Sequence, residues 1–239
     1  MDKEVFDFSI ESLGPCTIQS PIKFSLEHGD FTANYVSDDS YVINNINIYN
    51  TKDAIKLDSS NLIQKAGPRE KIYFDPKHAK AGICTCGGLC PGLNDVIRAI
   101  VRCLNTRYGV KTIKGYQYGY HGFFADSGYE PIELDRYLID EIHKIGGTYL
   151  GTSRGGGTRT SEIVDCLERD GINMLFIIGG DGTQRGAYDV ACEVEKRGMK
   201  CAVVGIPKTV DNDLMFIDRS FGFETAVQRA KESIAAVHM

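Results

Sequence analysis

Hydrophobic and polar positions change rhythm near residue 80. Before it, two β-branched and aromatic runs stand out: Phe31-Thr-Ala-Asn-Tyr-Val36 and Tyr41-Val-Ile-Asn-Asn-Ile-Asn-Ile-Tyr49. Ser37-Asp-Asp-Ser40 separates them, so both are predicted strands. Gly67-Pro68-Arg69 then breaks the chain. Residues 1–80 hold few apolar anchors and are expected to form a β-rich extension rather than an independent domain. From residue 81 the pattern is apolar run, glycine turn, helix. Ala81–Cys86, Lys111–Gly115, Met174–Ile178 and Cys201–Ile206 are predicted strands. Asn94–Tyr108, Asp135–Ile145, Thr160–Arg169, Thr183–Arg197 and Glu224–Val237 are predicted helices, because apolar residues such as Val96, Ile97, Ile100, Val101 and Leu104 recur at helical spacing. Met174-Leu-Phe-Ile-Ile178 is apolar at every position, as in a strand covered on both sides. Alternating β and α units predict an α/β fold over 81–239, a three-layer parallel sheet with helices on both faces. Ligands of such sheets bind beyond the carboxyl ends of the strands.

Composition narrows the class. The 239 residues are 42% apolar and 25% charged, which excludes a disordered tail, a collagen repeat and a coiled-coil rod. A net charge of −5 argues against nucleic-acid binding, which usually leaves a basic surplus. No apolar stretch approaches the ~18 residues of a membrane span, so no membrane partner is expected. The eight cysteines show no paired framework, and a reducing cytoplasm is the expected location. Cys84, Cys86 and Cys90 have metal-like spacing, but no fourth ligand is in sight; buried packing is the simpler reading. The five histidines are scattered, and His121 in Tyr118-Gly-Tyr-His-Gly122 has no assigned role.

Four loops carry unusual chemistry. Gly87-Gly88-Leu-Cys-Pro91-Gly92 opens a helix, where exposed N–H groups and the helix dipole suit a phosphate. A tight turn is the plainer alternative, but it needs fewer glycines. Gly151-Thr-Ser-Arg154-Gly155-Gly-Gly157 sets a guanidinium among glycines, fit for an anion or merely a surface loop. Gly179-Gly180-Asp181-Gly182-Thr183 ends the buried strand; Asp181 suits Mg²⁺ held jointly with phosphates, or else a helix cap. Pro207-Lys208-Thr209-Val210-Asp211-Asn212-Asp213 offers two acids and a hydroxyl at alternate positions, which share a side if the segment is extended. A polar turn explains Asp-Asn-Asp equally well.

Taken in order, CGGLCPGLNDVIR, GTSRG, IIGGDGT, PKTVDND and SFGFETAVQ resemble the ATP-dependent 6-phosphofructokinases, in particular the plant and protist subgroup. The likeness runs from about residue 31 to 235. It implies transfer of the ATP γ-phosphoryl group to the 1-hydroxyl of fructose 6-phosphate, a step of glycolysis, with Mg²⁺. Gly88, Arg154, Gly155, Gly180, Asp181, Gly182 and Thr183 match the family's nucleotide site, with Asp181 as the metal ligand. Thr209, Val210, Asp211 and Asp213 match the sugar-phosphate segment, with Asp211 as proton acceptor. Gly182 implies room for a nucleotide α-phosphate, whereas Lys208 occurs with pyrophosphate users; a pyrophosphate-dependent enzyme is therefore one alternative. NAD and lipid kinases share GGDGT but not PKTVDND. Family members continue beyond the point matching Met239 with a Met-Gly-Arg motif and further basic residues. This implies that the sugar-phosphate-binding domain is missing here, that the chain is inactive alone, and that a non-catalytic nucleotide-binding or assembly module is a second alternative. The full-length family implies a homo-oligomer.

Overall fold

A computed structural model describes residues 6–44 and 57–237. The chain divides into two compact units, Met1–Asp75 and Pro76–Met239; the boundary expected from sequence was residue 80. In the first unit, β1 (Ile18–Gln19) pairs antiparallel with β4 (Lys71–Ile72), and β2 (Tyr41–Ile43) with β3 (Leu62–Gln64). Strand β2 covers the start of the second predicted run, while residues 45–49 lie outside the described residues. The predicted strand Phe31–Val36 does not form. Asp30 Oδ1 accepts the Thr32 N–H at 3.0 Å and its hydroxyl at 2.7 Å, Phe31 takes φ +65°, and a lone bridge joins Ser25 to Asn34. These local bonds bend the backbone away from a ladder. All buried apolar residues among those described lie at or beyond Ala79.

The second unit is built on a five-stranded sheet of order β7-β6-β5-β8-β9. Its strands are β5 (Lys80–Thr85), β6 (Thr112–Tyr116), β7 (Ile132–Glu133), β8 (Met174–Gly179) and β9 (Ala202–Pro207). Four run parallel; β7 pairs antiparallel with β6. The sheet is therefore mixed and not wholly parallel as expected, because Ile132–Glu133 returns along the edge without a crossover helix. Central β5 and β8 are apolar on both faces. Cys84, Tyr116, Leu175 and Ile177 join one buried cluster with Ile163 and Leu167 of α2 (Thr160–Asp170) and Val190 and Val194 of α3 (Asp181–Lys196). Alternation places Ile83, Ile113 and Ile178 on the opposite face, and α1 (Leu93–Arg102) buries Leu93, Ile97 and Val101. Helix α4 (Phe223–Val237) follows β9. Among the described residues, no helix is long and apolar enough to cross a membrane.

Two predicted helices change character. The first ends at Arg102, and Cys103–Tyr108 widens into a π-helical turn closed by Gly109 in the left-handed region. The second, Asp135–Ile145, is replaced by turns and a 3₁₀ turn at Ile142–Lys144. Asp135 Oδ1 accepts the N–H groups of Tyr137 and Leu138, both at 2.8 Å. Asn94 Nδ2 donates to the carbonyls of Ile142 and Ile145, both at 3.0 Å, and Arg98 Nε to that of Asp140 at 3.1 Å. Side chains of α1 thus hold this segment in its turns from a neighbouring element.

Asp170 ends α2 as a partly buried carboxylate beside the sheet. It accepts from the Tyr116 hydroxyl at 2.9 Å and pairs with Lys114 at 3.2 Å and Arg169 at 3.2 Å. Burial alone would raise its pKa, but the bonds from Tyr116, Lys114 and Arg169 outweigh it and hold the carboxyl below the usual range. A depressed folded pKa stabilises above the unfolded value of about 3.9, and that stability is lost as pH falls through the folded value. Asp170→Asn is expected to cost about 2 kcal/mol at pH 7, because two cations lose their counter-charge. Thermal unfolding at pH 7 and pH 3.5 checks this: the gap between variant and wild type should narrow in acid. An equal gap at both pH values would show that the charge is not what stabilises.

Candidate active site

Strands β5, β8 and β9 end in register, with Thr85 opposite Ile178 and Gly179 opposite Pro207. Their loops therefore emerge side by side. They line a cleft of about 820 Å³, within the range of small-molecule sites. All twelve residues singled out from sequence line it: Gly88, Arg154, Gly155, Gly180, Asp181, Gly182, Thr183, Lys208, Thr209, Val210, Asp211 and Asp213.

Glycine and an acid open α3 on one side of the cleft. Gly180 stands at the cap position with no side-chain bond, and Asp181 begins the helix. Among the described residues, the Asp181 carboxylate has no hydrogen-bond or ion-pair partner, and it is exposed. A Cβ placed on Gly182 would meet nothing within 4 Å. The free carboxylate and the open space lie at the positive end of a 16-residue helix dipole. Among the described residues, no group of three or more His, Cys, Asp or Glu is arranged to hold a metal ion. A lone carboxylate suits Mg²⁺ that takes its other ligands from phosphate and water.

The opposite wall follows β9. The predicted extended segment does not occur, since Asn212 takes φ +56° and the chain bends at Val210–Asp211. Asn212 locks that bend: its Oδ1 accepts the Ser220 N–H at 2.6 Å, and its Nδ2 donates to the Asp218 carbonyl at 3.1 Å. The bend still turns both acids into the cleft. The Thr209 hydroxyl donates to Asp213 Oδ1 at 2.5 Å and accepts the Asp211 N–H at 3.1 Å. The Asp211 side chain is left exposed. The SFGFE segment supports this wall from behind. The Ser220 hydroxyl donates to the Thr209 carbonyl at 2.7 Å. Gly222, at φ +82°, leaves no room for a Cβ, which would stand 2.2 Å from the Pro91 carbonyl.

Lys208 is 5% exposed, and its ammonium donates to the Gly88 carbonyl at 2.5 Å. Burial pulls its pKa below the ordinary lysine value, partly offset by the Cys90 and Cys86 sulfurs nearby. The Cys90 thiol is itself pushed up by burial and donates to the Phe221 carbonyl at 3.2 Å.

Other lining residues were not legible as site residues. Tyr120 is buried and donates its hydroxyl to the Thr183 carbonyl at 2.7 Å, beneath the start of α3. Arg185 and Asp189 also line the cleft. They follow Asp181 at intervals of four, so a helical count from Asp181 would have found them.

A family profile described as phosphofructokinase matches residues 80–239. An ATP-dependent 6-phosphofructokinase of Borreliella burgdorferi is 51% identical over 236 residues, covering 98% of this chain and 52% of the relative. ATP-dependent 6-phosphofructokinase 7 of Arabidopsis thaliana is 53% identical over 176 residues, covering 74% of this chain and 36% of the relative. The chain thus spans about half the length of these curated relatives or less. Among solved structures, phosphofructokinase from Pichia pastoris in the T-state aligns with TM-score 0.58 at 25% identity, covering 72% of this chain and 20% of that one. The profile takes in the whole sheet and every loop of the cleft, and the protein belongs to the phosphofructokinase family.

Proposed function

We propose that this chain carries the Mg·ATP site and the proton acceptor for transfer of the ATP γ-phosphoryl group to the 1-hydroxyl of fructose 6-phosphate, a step of glycolysis. One observation carries the reading. The free Asp181 carboxylate at the start of α3 and the exposed Asp211 carboxylate beyond β9 line one cleft. That is the layout of a donor-phosphate site beside a proton acceptor. Gly88, Gly155, Gly180, Gly182 and Thr183 offer backbone N–H groups and space to the nucleotide phosphates, and Arg154 adds a guanidinium for one of them. Asp181 would hold Mg²⁺. When bound, that ion neutralises the charge on the phosphate oxygens. Thr209, Val210 and Asp213 shape the acceptor side, and Asp211 takes the hydroxyl proton as the phosphoryl group arrives.

Lys208 favours a second reading, with pyrophosphate as donor. Its ammonium is already engaged by the Gly88 carbonyl, and the space before Gly182 stays open to a nucleotide, so ATP is the better fit. The test is fructose 1,6-bisphosphate formation by the purified chain with Mg²⁺, fructose 6-phosphate and either ATP or pyrophosphate. ATP-driven turnover at least ~10-fold above pyrophosphate supports the reading. The reverse preference overturns the donor assignment. Binding of Mg·ATP without turnover would reduce the chain to a nucleotide-binding module. We further propose a cytoplasmic location, in keeping with eight free thiols, and assembly into a homo-oligomer.

A further inference from the structure

His121 lies outside the roles assigned so far, yet it sits behind two loops of the cleft. Its half-buried ring packs edge-on against Phe124, with centroids 5.9 Å apart. Its Nδ1 is 2.7 Å from the Ser153 hydroxyl oxygen. Ser153 is a junction. Its hydroxyl donates to the Tyr118 carbonyl, and its own carbonyl accepts the Gly87 N–H at 2.8 Å. Thr152 grips the same glycine from the other side, donating its hydroxyl to the Gly87 carbonyl at 2.7 Å. The residue after Ser153 is Arg154. One short segment thus carries the guanidinium of one loop and holds the backbone of the other.

A serine hydroxyl has one proton and two lone pairs. The Ser153 proton is committed to Tyr118, so the short contact with His121 requires a proton on the histidine Nδ1. We infer that His121 is a positioning residue for the nucleotide side of the cleft: its Nδ1–H fixes Ser153 and, through it, both the Gly87 loop and the Arg154 loop. The requirement is for a donor at that atom. Both the neutral Nδ1–H ring and the imidazolium meet it, so the brace does not open when the ring gains a proton. The consequence for nucleotide binding rests on the function proposed above; the brace itself does not.

Two measurements on the unliganded protein test the brace. Amide hydrogen exchange is followed in wild type, His121→Phe and His121→Asn. Phenylalanine keeps the ring against Phe124 but has no donor, whereas asparagine offers an amide N–H near the place of Nδ1. Exchange at the Gly87 amide, whose N–H donates to the Ser153 carbonyl, should quicken about tenfold in His121→Phe, the scale of one lost hydrogen bond, and stay near wild type in His121→Asn. Sheet amides should not change in either. Equal exchange at the Gly87 amide in all three proteins overturns the inference. Imidazole ¹⁵N NMR of the wild type should show a protonated Nδ1; a neutral ring protonated only at Nε2 also overturns it. A fluorescent Mg·ATP analogue is then titrated into the same proteins, with about tenfold weaker binding expected in His121→Phe alone. If wild type binds no analogue while exchange follows the expected pattern, the brace stands and the nucleotide reading falls. If wild type binds and His121→Phe binds as well, the brace does not act on the nucleotide.

Discussion

Replacing Asp211 by asparagine is expected to slow fructose 1,6-bisphosphate formation at least ~10²-fold while Mg·ATP binding is kept within about twofold. The expectation follows from how the side chain is held. Asp211 is positioned through its backbone, whose N–H reaches the Thr209 hydroxyl at 3.1 Å, and its carboxylate is exposed to the cleft. Asparagine has the same shape and leaves that bond intact. It cannot take a proton from the sugar hydroxyl, so the loss falls on the chemical step. A carboxylate is a weak base, and its share of the rate lies in alignment and late proton acceptance, which sets the expected size. The neighbouring Thr209–Asp213 bond gives a control. Asp213→Asn keeps an acceptor for that hydroxyl, so it should disturb turnover less than Asp211→Asn. Initial rates and a Mg·ATP titration on the same preparations decide it. Wild-type turnover in Asp211→Asn would remove Asp211 from the chemistry.

Gly182→Asp is expected to weaken ATP binding about 100-fold and pyrophosphate binding much less. A Cβ at Gly182 meets nothing within 4 Å, so the new side chain fits without disturbing the fold. Its carboxylate then stands in the mouth of the cleft beside the start of α3. A unit negative charge about 5 Å from a phosphate, at an effective dielectric constant near 20, costs roughly 3 kcal/mol, or about two powers of ten. Pyrophosphate has no third phosphate to place there. Competition of each donor against a fluorescent nucleotide separates the two effects. Undiminished ATP affinity would show that the open space before Gly182 is not where the nucleotide chain passes. A 100-fold loss with both donors would point to general repulsion.

Much of the cleft was legible because its chemistry is local. Glycine pairs, an acid at a strand end and a lysine after a proline can be read within a few residues. The alternation of strand and helix then brings those loops to one edge. Residues acting through distant partners were harder to read. Tyr120 matters through the Thr183 carbonyl, 63 positions away. His121 and Ser153 meet across 32 positions. Asp211 and Asp213 share a space as expected, but through a left-handed Asn212 rather than through strand alternation.

Outside 132–145, the sequence by itself determined the strand–helix order from residue 81, the apolar core strands and the loops that carry charge. These follow from periodicity and backbone freedom, both of which act within one turn or one strand. Tertiary structure decided the form of 135–145, whose turns are held by Asn94 and Arg98 from another element. It also decided that β7 runs antiparallel at the sheet edge, and that Lys208 is spent on the Gly88 carbonyl 120 positions away. Hydrogen bonds between segments depend on where each segment lands, and periodicity does not encode that.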